Sequence, residues 1–252
     1  MTSVLEPNLA NNSPLMPPPG LSGHGLPDLE KEKALFSRYT RKQLPDLTFE
    51  FTRDPGLLHQ YYRVRADEYN AVYGTLDYPK DETECDRSGH IMVVRRGNFC
   101  VGGARLNIKS PRKPDLLPME IDNFRIENYF SQLMNKQASY CQLSGFSLLE
   151  EFRGGDITRQ VGKRIVGKCL AANINMLFAV CPILNARLYQ KIFITKIHYD
   201  IELPVYHELK EMGMLYLCSI ALQERQSSFI KSAEELSNTQ GSYNDFESEV
   251  IL

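Results

Sequence analysis

The segments His90-Ile-Met-Val-Val-Arg95 and Cys100-Val-Gly-Gly-Ala-Arg-Leu-Asn107 decide the fold of this 252-residue chain. Short apolar runs bounded by turn residues are typical of β-strands. The link Arg96-Gly97-Asn98 contains Gly and Asn, which tolerate a positive φ in a tight turn. We therefore predict that the two segments form an antiparallel hairpin.

The sequence before the hairpin predicts one strand and one long helix. Leu47–Thr52 alternates apolar and polar residues, which favours a strand with one buried face. Pro55 to about Tyr73 is predicted to be a helix, because Asp54 suits an N-cap and Pro55 suits the first helical position. The ordered part of the chain is thus expected to begin with a β–α unit.

The sequence after the hairpin alternates predicted helices and strands. Met176–Cys181 is short and fully apolar, which is typical of a strand buried inside a sheet. The whole series predicts an α/β (α+β) fold, in which helices flank a mixed, partly antiparallel central sheet. The helical crossovers predict parallel β-α-β units in the second half. The other predicted elements are the helices Ile126–Gln137, Thr158–Ala172 and Ala186–Phe193 and the strands Tyr140–Ser147 and Met214–Ala221.

Both ends of the chain differ in composition from its middle. Residues 1–45 have little apolar surface and contain the run Pro17-Pro18-Pro19-Gly20, so we expect a disordered, Pro-rich N-terminal arm. Residues 223–252 are predicted to be a polar C-terminal tail, with an amphipathic helical piece at Phe229–Leu236. The functional domain is therefore expected at 46–222.

Composition and charge exclude several classes of function. The 29 Lys and Arg residues balance 31 Asp and Glu residues, for a formal net charge of -2, whereas dedicated nucleic-acid-binding proteins usually show a strong basic excess. No run approaches the ~20 apolar residues of a membrane-spanning helix, and the start of the chain lacks the pattern of a secretory signal. We expect a cytoplasmic protein that binds no nucleic acid.

The cysteines and histidines give no indication of a metal site. The six cysteines are scattered without a CxxC spacing, which fits free thiols better than a disulfide framework or a zinc site. The five histidines lie far apart in the sequence. No metal is therefore expected.

Three charged residues near the hairpin are candidates for binding a polar substrate. Asp86 precedes the first strand, Arg105 lies on the second, and Arg65 lies on the first predicted helix with Arg63 as a rival. A carboxylate can hold an ammonium group, and an arginine can clamp a carboxylate through two parallel hydrogen bonds. The structural alternative is a turn aspartate, a salt-bridged sheet arginine and a solvated helix face.

These motifs, in this order, resemble the GNAT-type N-acyltransferases. The closer resemblance is to acyl-homoserine-lactone autoinducer synthases and long-chain N-acyl amino acid synthases, and it covers about residues 50–222. Val101-Gly102-Gly103-Ala104-Arg105-Leu106 matches the Val-Gly-x-x-Arg-Leu of the autoinducer synthases, and Arg65 and Asp86 match their arginine and last acidic residue. The resemblance implies a GNAT-like fold and an acyl-transfer reaction.

The resemblance also implies three catalytic residues. On the strand at 140–148, Ser144 agrees with the family, whereas Gln142 stands where the family has a glutamate and Gly145 where it has an arginine. A neutral Gln142 cannot accept a proton, so it can only orient a substrate or water. Tyr189 matches a tyrosine that protonates the leaving thiolate, although a tyrosine packed against the sheet explains the pattern equally well.

A donor site is implied after that strand. Arg153-Gly154-Gly155 lies where GNAT enzymes present backbone N–H groups at a helix start, and these groups receive the phosphates of the donor. The helix that follows has basic residues at helical spacing, which would suit docking of an acidic acyl carrier protein or would form a solvated face. Those basic residues are Arg159, Lys163, Arg164 and Lys168.

The resulting expectation is an N-acyltransferase. It would move a medium- or long-chain acyl group from a phosphopantetheine thioester to the amine of an amino acid or similar small molecule. The acyl-thioester donor, on acyl carrier protein or CoA, would be a cosubstrate, and no tightly bound cofactor is expected. Two alternatives stay open: an acetyl-CoA-dependent GNAT acetyltransferase and a non-catalytic GNAT-like module that binds an acyl group or lipid.

Overall fold

The computed structural model describes residues 47–74, 78–134, 137–193, 195–204, 214–223 and 227–239. The predicted N-terminal arm at 1–45 lies outside the described residues. The strands are β1 (Thr48–Phe51), β2 (His90–Arg96), β3 (Phe99–Lys109), β4 (Tyr140–Leu148), β5 (Met176–Pro182), β6 (Lys196–His198) and β7 (Leu215–Ala221). The α-helices are α1 (Pro55–Tyr73), α2 (Glu84–Ser88), α3 (Gly155–Ala171), α4 (Ile183–Phe193) and α5 (Ser228–Thr239).

Local sequence signals set the ends of the first two helices. The Asp54 carboxylate accepts a hydrogen bond from the Leu57 N–H at 2.8 Å, and α1 ends at Gly74 with a φ of 68°. Helix α2 begins with a capping box in which the side chains of Thr83 and Asp86 each accept from the other's backbone N–H. The predicted helix at Pro55–Tyr73 is confirmed.

The strands form a single seven-stranded sheet in the order β1-β2-β3-β4-β5-β7-β6. The predicted hairpin is confirmed, because β2 and β3 pair antiparallel across a turn in which Gly97 has a φ of 58°. Only β4 and β5 pair in parallel within this sheet, and β7 pairs antiparallel with β5. The prediction of several parallel units was wrong, because the unpredicted short strand β6 takes the sheet edge and reverses the chain direction.

The predicted helix at Ile126–Gln137 was also wrong. The described part of this segment contains two 3-10 turns, at Ile126–Asn128 and Ser131–Leu133. Ile126, Phe130 and Leu133 have helical spacing and all lie in the core. Two short turns thus bury the same apolar side chains that a helix would bury, so the spacing alone did not distinguish them.

Helices cover both faces of the sheet. Tyr61 of α1 packs with Ile91 and Val93 on one face. On the other face, the Sγ atoms of Cys141 on β4 and Cys169 on α3 are 3.5 Å apart. The predicted mixed sheet flanked by helices is therefore confirmed.

Helix α5 contains the predicted amphipathic piece at Phe229–Leu236. It packs on α3, where a Cβ atom added to Gly167 would lie 2.8 Å from the carbonyl oxygen of Ala233. Phe229 and Ile230 are buried as well. A glycine in the middle of α3 thus allows the two helix backbones to approach closely.

Candidate active site

The two parallel strands of the sheet separate halfway along their length. Strand β4 pairs with β5 from Tyr140 and Met176 as far as Leu143 and Ala179. Both strands continue beyond that point, β4 to Leu148 and β5 to Pro182. The backbone groups of β4 that follow Leu143 on the β5 side therefore face a cleft instead of a ladder.

Gly145 lies where β4 turns away from β5. Its φ is 62°, a left-handed conformation, and a Cβ atom there would lie 2.6 Å from the Tyr61 hydroxyl. That hydroxyl donates a hydrogen bond to the Gly145 carbonyl at 2.7 Å. The position therefore requires glycine, and an arginine side chain at this position would need a different backbone.

The cleft lies between the separated strands and is narrow. It encloses about 40 Å³, far below the ~300 Å³ at which typical small-molecule pockets begin. Across its mouth, the Asn185 side-chain amide donates a hydrogen bond to the Tyr73 hydroxyl at 3.0 Å, which joins α4 to α1. The lining includes Ser144, Gly145 and Phe146 of β4, Val180 and Cys181 of β5, and Tyr189 of α4.

Tyr189 and Ser144 face the cleft with different surroundings. Tyr189 is buried, its ring centroid lies 6.4 Å from that of Phe146, and burial raises the pKa of its hydroxyl well above the usual value. The hydroxyl therefore keeps its proton at neutral pH. Ser144 accepts a hydrogen bond from Arg105 Nε at 3.0 Å, which leaves its own O–H as a donor.

Gln142 is almost fully buried and holds a neighbouring loop. Its Oε1 accepts a hydrogen bond from the Met119 backbone N–H at 2.8 Å. Although Gln142 also lines the cleft, this bond ties its carbonyl group to the 3-10 turn Pro118–Glu120. The observed contact is structural, and a catalytic role for Gln142 stays a prediction.

Arg65, Asp86 and Arg105 meet in one buried group, which we call the arginine cluster. Arg65 donates to both Asp86 carboxylate oxygens, at 2.6 and 2.8 Å, and Arg105 donates to Asp86 at 3.1 Å. All three side chains are completely buried. The structure thus brings the three predicted substrate-binding residues together, but with their charges directed at one another. Arg65, rather than its rival Arg63, is the arginine that Asp86 holds.

The surroundings of the arginine cluster favour its charged form. Burial alone would raise the pKa of Asp86, but the hydrogen bonds and positive charges of Arg65 and Arg105 lower it to about 2. Thr83 adds hydrogen bonds from its N–H and its hydroxyl, each 2.8 Å long. The Arg65 guanidinium also lies 5.2–5.3 Å from three tyrosine ring centroids, those of Tyr61, Tyr62 and Tyr78.

The predicted donor loop lies at the start of α3. The helix begins at Gly155, and Gly154 at its N-cap has no side chain that would occupy the first N–H groups. Arg153 forms an ion pair with Glu68 of α1 and donates to the Leu148 carbonyl at 3.2 Å. A phosphate role for Arg153, Gly154 and Gly155 stays a prediction.

The basic residues of α3 do not form one exposed face. Lys168 is 3% exposed, with its Nζ 5.7 Å from the Phe51 ring centroid. The Arg164 guanidinium lies 4.2 Å from the ring centroid of Phe49. The predicted face of four cations was therefore wrong, because β1 covers part of it, and of the four only Arg159 is exposed.

A second ionic group, which is partly buried and which we call the lysine cluster, was not predicted from the sequence. Lys109 donates to Glu120 at 3.1 Å and to Glu127 at 2.7 Å, and the Tyr140 hydroxyl donates to Glu127. Lys109 and Arg105 share one face of β3. The four-residue spacing between Arg105 and Lys109 could have indicated that both side chains lie on one face of the sheet. The two glutamates could not be placed from the sequence, because they lie in short 3-10 turns without a periodic pattern.

Two features are absent from the described residues. Within these residues no helix is long and apolar enough to cross a bilayer. The same part of the chain contains no group of three or more His, Cys, Asp or Glu side chains placed to hold a metal ion.

Comparison with known proteins identifies the fold. No family model matches the chain, and no curated protein matches its sequence. FeeM, an N-acyl amino acid synthase from uncultured soil microbes, is similar over 77% of this chain and 98% of its own, with a TM-score of 0.53 and 11% identity. The chain has the fold of this synthase.

Other acyltransferases resemble the chain as well. The AHL synthase LasI covers 70% of this chain and 90% of its own length at 15% identity, with a TM-score of 0.49. The CoA-dependent acyl-homoserine lactone synthase BjaI covers 73% and 83% at 16% identity, with a TM-score of 0.48. The similarity to FeeM, with its TM-score of 0.53, confirms the predicted resemblance to acyltransferases for the fold.

Proposed function

We propose that this protein is an N-acyltransferase. It transfers a medium- or long-chain acyl group from a phosphopantetheine thioester to the amine of an amino acid or a similar small molecule. The observation that carries the proposal is the cleft between β4 and β5, which combines a forced bend at Gly145 with the hydroxyl groups of Ser144 and Tyr189 in its wall. The fold of FeeM supports the reaction class.

The chemistry requires one nucleophile, one oxyanion site and one acid. The deprotonated amine attacks the thioester carbonyl carbon, a C–N bond forms, and the C–S bond breaks. Backbone N–H groups near Ser144–Ser147, together with the Ser144 hydroxyl, stabilise the oxyanion. Tyr189 donates its proton to the leaving thiolate, since burial keeps the phenol protonated at neutral pH. The resulting phenolate takes up the proton that the amine nitrogen loses as the amide forms, which restores the phenol.

The arginine cluster acts on the acceptor side of the cleft. Its three side chains, two guanidinium groups and one carboxylate, have a formal charge of +1 in total. Arg105 transmits this charge to the cleft through its hydrogen bond to Ser144. An acceptor that carries a carboxylate is favoured there by charge complementarity, which supports an amino acid as acceptor.

The donor side lies at the start of α3. The N–H groups that follow Gly154 hold a phosphate of the donor, helped by the positive end of the helix. Arg153 assists when it exchanges its ion pair with Glu68 for the phosphate. Either CoA or acyl carrier protein fits this role, and Arg159 with the half-buried Lys163 is what remains of a basic docking surface.

The narrow cleft favours a second candidate function. About 40 Å³ accommodates little more than a thioester group, so a short acyl group such as acetyl needs the least rearrangement. A long chain requires the Tyr73–Asn185 bridge to open. The acetyl-CoA-dependent alternative therefore has an observation in its favour, and acyl length decides between the two.

The test is an assay of the purified protein with acetyl-, octanoyl- and palmitoyl-CoA and a mixture of amino acids, with N-acyl products detected by mass spectrometry. Tyr189→Phe should lower the rate of product formation, and Ser144→Ala should do the same. Tyr129→Phe, an exposed tyrosine outside the cleft, is the matched control and should keep full activity. Folded protein that forms no product from any donor would contradict the proposal and favour a non-catalytic acyl-binding module.

A further inference from the structure

A second cavity lies at the opposite end of β5 from the cleft. It is bounded by Met176 at the start of β5, by Ala221 at the end of β7 and by the edge strand β6. Its volume is about 520 Å³, which is within the range of ~300–1,000 Å³ found for small-molecule sites. This is more than ten times the volume that the cleft encloses.

The floor of this cavity is apolar and partly aromatic. Phe130, Met176 and Ile201 line it and are all buried. The Phe130 ring meets the His198 ring edge to face, with centroids 5.0 Å apart. Such a floor takes up an apolar or aromatic side chain of a ligand.

Part of the cavity wall is polar. His198 Nε2 and Ser219 Oγ are 2.8 Å apart and share a hydrogen bond. Burial, assisted by the positive charge of Lys196, lowers the pKa of His198 below its usual value, so the imidazole is neutral near pH 7. The formal charges among the described lining residues are therefore those of Lys196 and Asp200.

Lys196 and Asp200 lie on either side of His198 and are both exposed at the rim. Lys196 and His198 are two positions apart on β6, which places them on the same face of the strand. Ser219, the register partner of Lys196, is on that face too. The rim thus combines one ammonium group and one carboxylate above an apolar floor.

We propose that this cavity binds a free α-amino acid with an apolar side chain. Lys196 holds the carboxylate of the ligand, Asp200 holds its ammonium group, and the side chain lies against Phe130 and Met176. The two charges of a zwitterion match the two charges of the rim.

Other ligand classes fit this combination less well. A phosphate ester brings two negative charges to a rim with one cation, and Asp200 repels it. A fatty chain would cover Lys196 and Asp200 without any compensating charge. The site is separate from the cleft, so its test does not depend on whether the protein transfers acyl groups.

The experiment is titration calorimetry of the full chain with L-phenylalanine. We expect saturable binding that L-phenylalaninamide, which lacks the carboxylate, and N-acetyl-L-phenylalanine, which lacks the ammonium group, do not reproduce. Lys196→Ala and Asp200→Asn should each weaken binding about tenfold or more. The exposed neighbours Lys191→Ala and Glu202→Gln are matched controls and should leave binding unchanged.

Two results would overturn the proposal. One is the absence of saturable binding by phenylalanine, leucine and methionine. The other is binding that Lys196→Ala and Asp200→Asn leave intact but that Asn185→Leu abolishes, because that result would assign the amino acid to the cleft. Loss of acyl transfer alone would not affect this inference, since calorimetry measures binding directly.

Discussion

The arginine cluster and the lysine cluster lie on the same face of β3, the first fully buried and the second partly buried, and their charges are opposite. The first has two guanidinium groups around one carboxylate, and the second has two carboxylates around one ammonium group. The arginine cluster contacts Ser144 at the cleft. The lysine cluster lies further along the strand, beside the apolar core that contains Tyr140.

The two clusters differ in whether protonation can change their net charge. A guanidinium group does not lose its proton in a protein, so the extra positive charge of the arginine cluster is permanent. A carboxyl group can take up a proton, and burial raises the pKa of Glu120. Glu127, in contrast, receives hydrogen bonds from Lys109 and Tyr140, which outweigh its burial and lower its pKa to about 2. The fold therefore keeps a fixed charge beside the cleft and an adjustable charge away from it.

The largest expected effect is that of Asp86→Ala. This change leaves two buried guanidinium groups without their carboxylate, and it should lower the free energy of unfolding by about 3–5 kcal/mol. Urea denaturation at pH 7 measures the loss. Arg87→Ala, which removes an exposed ion pair at the next residue, should cost no more than about 1 kcal/mol. Equal losses in both variants would contradict the structural role of the cluster.

Lys109→Met should have a smaller effect, of about 2–3 kcal/mol at pH 7. The carboxyl group of Glu120 can be protonated once Lys109 is absent. Because that proton binds more tightly in the folded state, the loss of unfolding free energy relative to the wild type, which is the deficit, should shrink as the pH falls from 7 to 5. Urea midpoints across this range measure it, with the exposed Lys191→Met as control. A deficit that grows on acidification would show that the surplus charge is not adjustable.

Acid should destabilise the protein by about 2 kcal/mol through Asp86. Its pKa of about 2 in the folded state, against 3.8 ordinarily, stabilises the fold above pH 4, and that contribution disappears as the pH falls through 2. Thr83→Ala removes a hydrogen bond to the carboxylate and should move this loss to higher pH. Asp67→Asn, in the exposed pair with Lys80, should leave the profile unchanged.

Tyr61→Phe should have the smallest effect, a loss of about 1 kcal/mol. The substitution removes the hydrogen bond from the Tyr61 hydroxyl to the Gly145 carbonyl and leaves the ring in place. Thermal unfolding gives the magnitude, and Tyr199→Phe, at a tyrosine that is 66% exposed, is the control. If both variants unfold at the wild-type temperature, the bend of β4 does not depend on this bond.

Most of the fold could be predicted because its signals are local. The hairpin turn needs Gly97, α1 needs Asp54 at its N-cap, and β5 is a continuous apolar run. The prediction of a helix at 126–137 was wrong because two 3-10 turns bury apolar residues at the same spacing as a helix does. The predicted direction of β7 was wrong because it depends on β6, which is three residues long and has no periodic pattern.

The candidate site was predictable in residue type but not in arrangement. Arg65, Asp86 and Arg105 were recognised as charged residues at suggestive places, and the structure joins them across 40 positions of sequence. Whether such groups face a substrate or one another depends on helix packing, which local sequence does not encode. The partner of Gln142 could not be predicted either, because it is the backbone N–H of Met119 in a distant 3-10 turn.

The sequence by itself determined six of the seven strands, the main helices and the turn that Gly97 permits, whereas the bend at Gly145 and strand β6 appeared only in the structure. Tertiary structure alone decided that β4 and β5 separate after Leu143 and Ala179, which creates the cleft. It also decided that the two clusters carry opposite charges and that Lys196 and Asp200 share one cavity rim. The physical reason is range: capping, turns and periodicity act over a few residues, whereas charge pairing and cavities depend on residues brought together by packing.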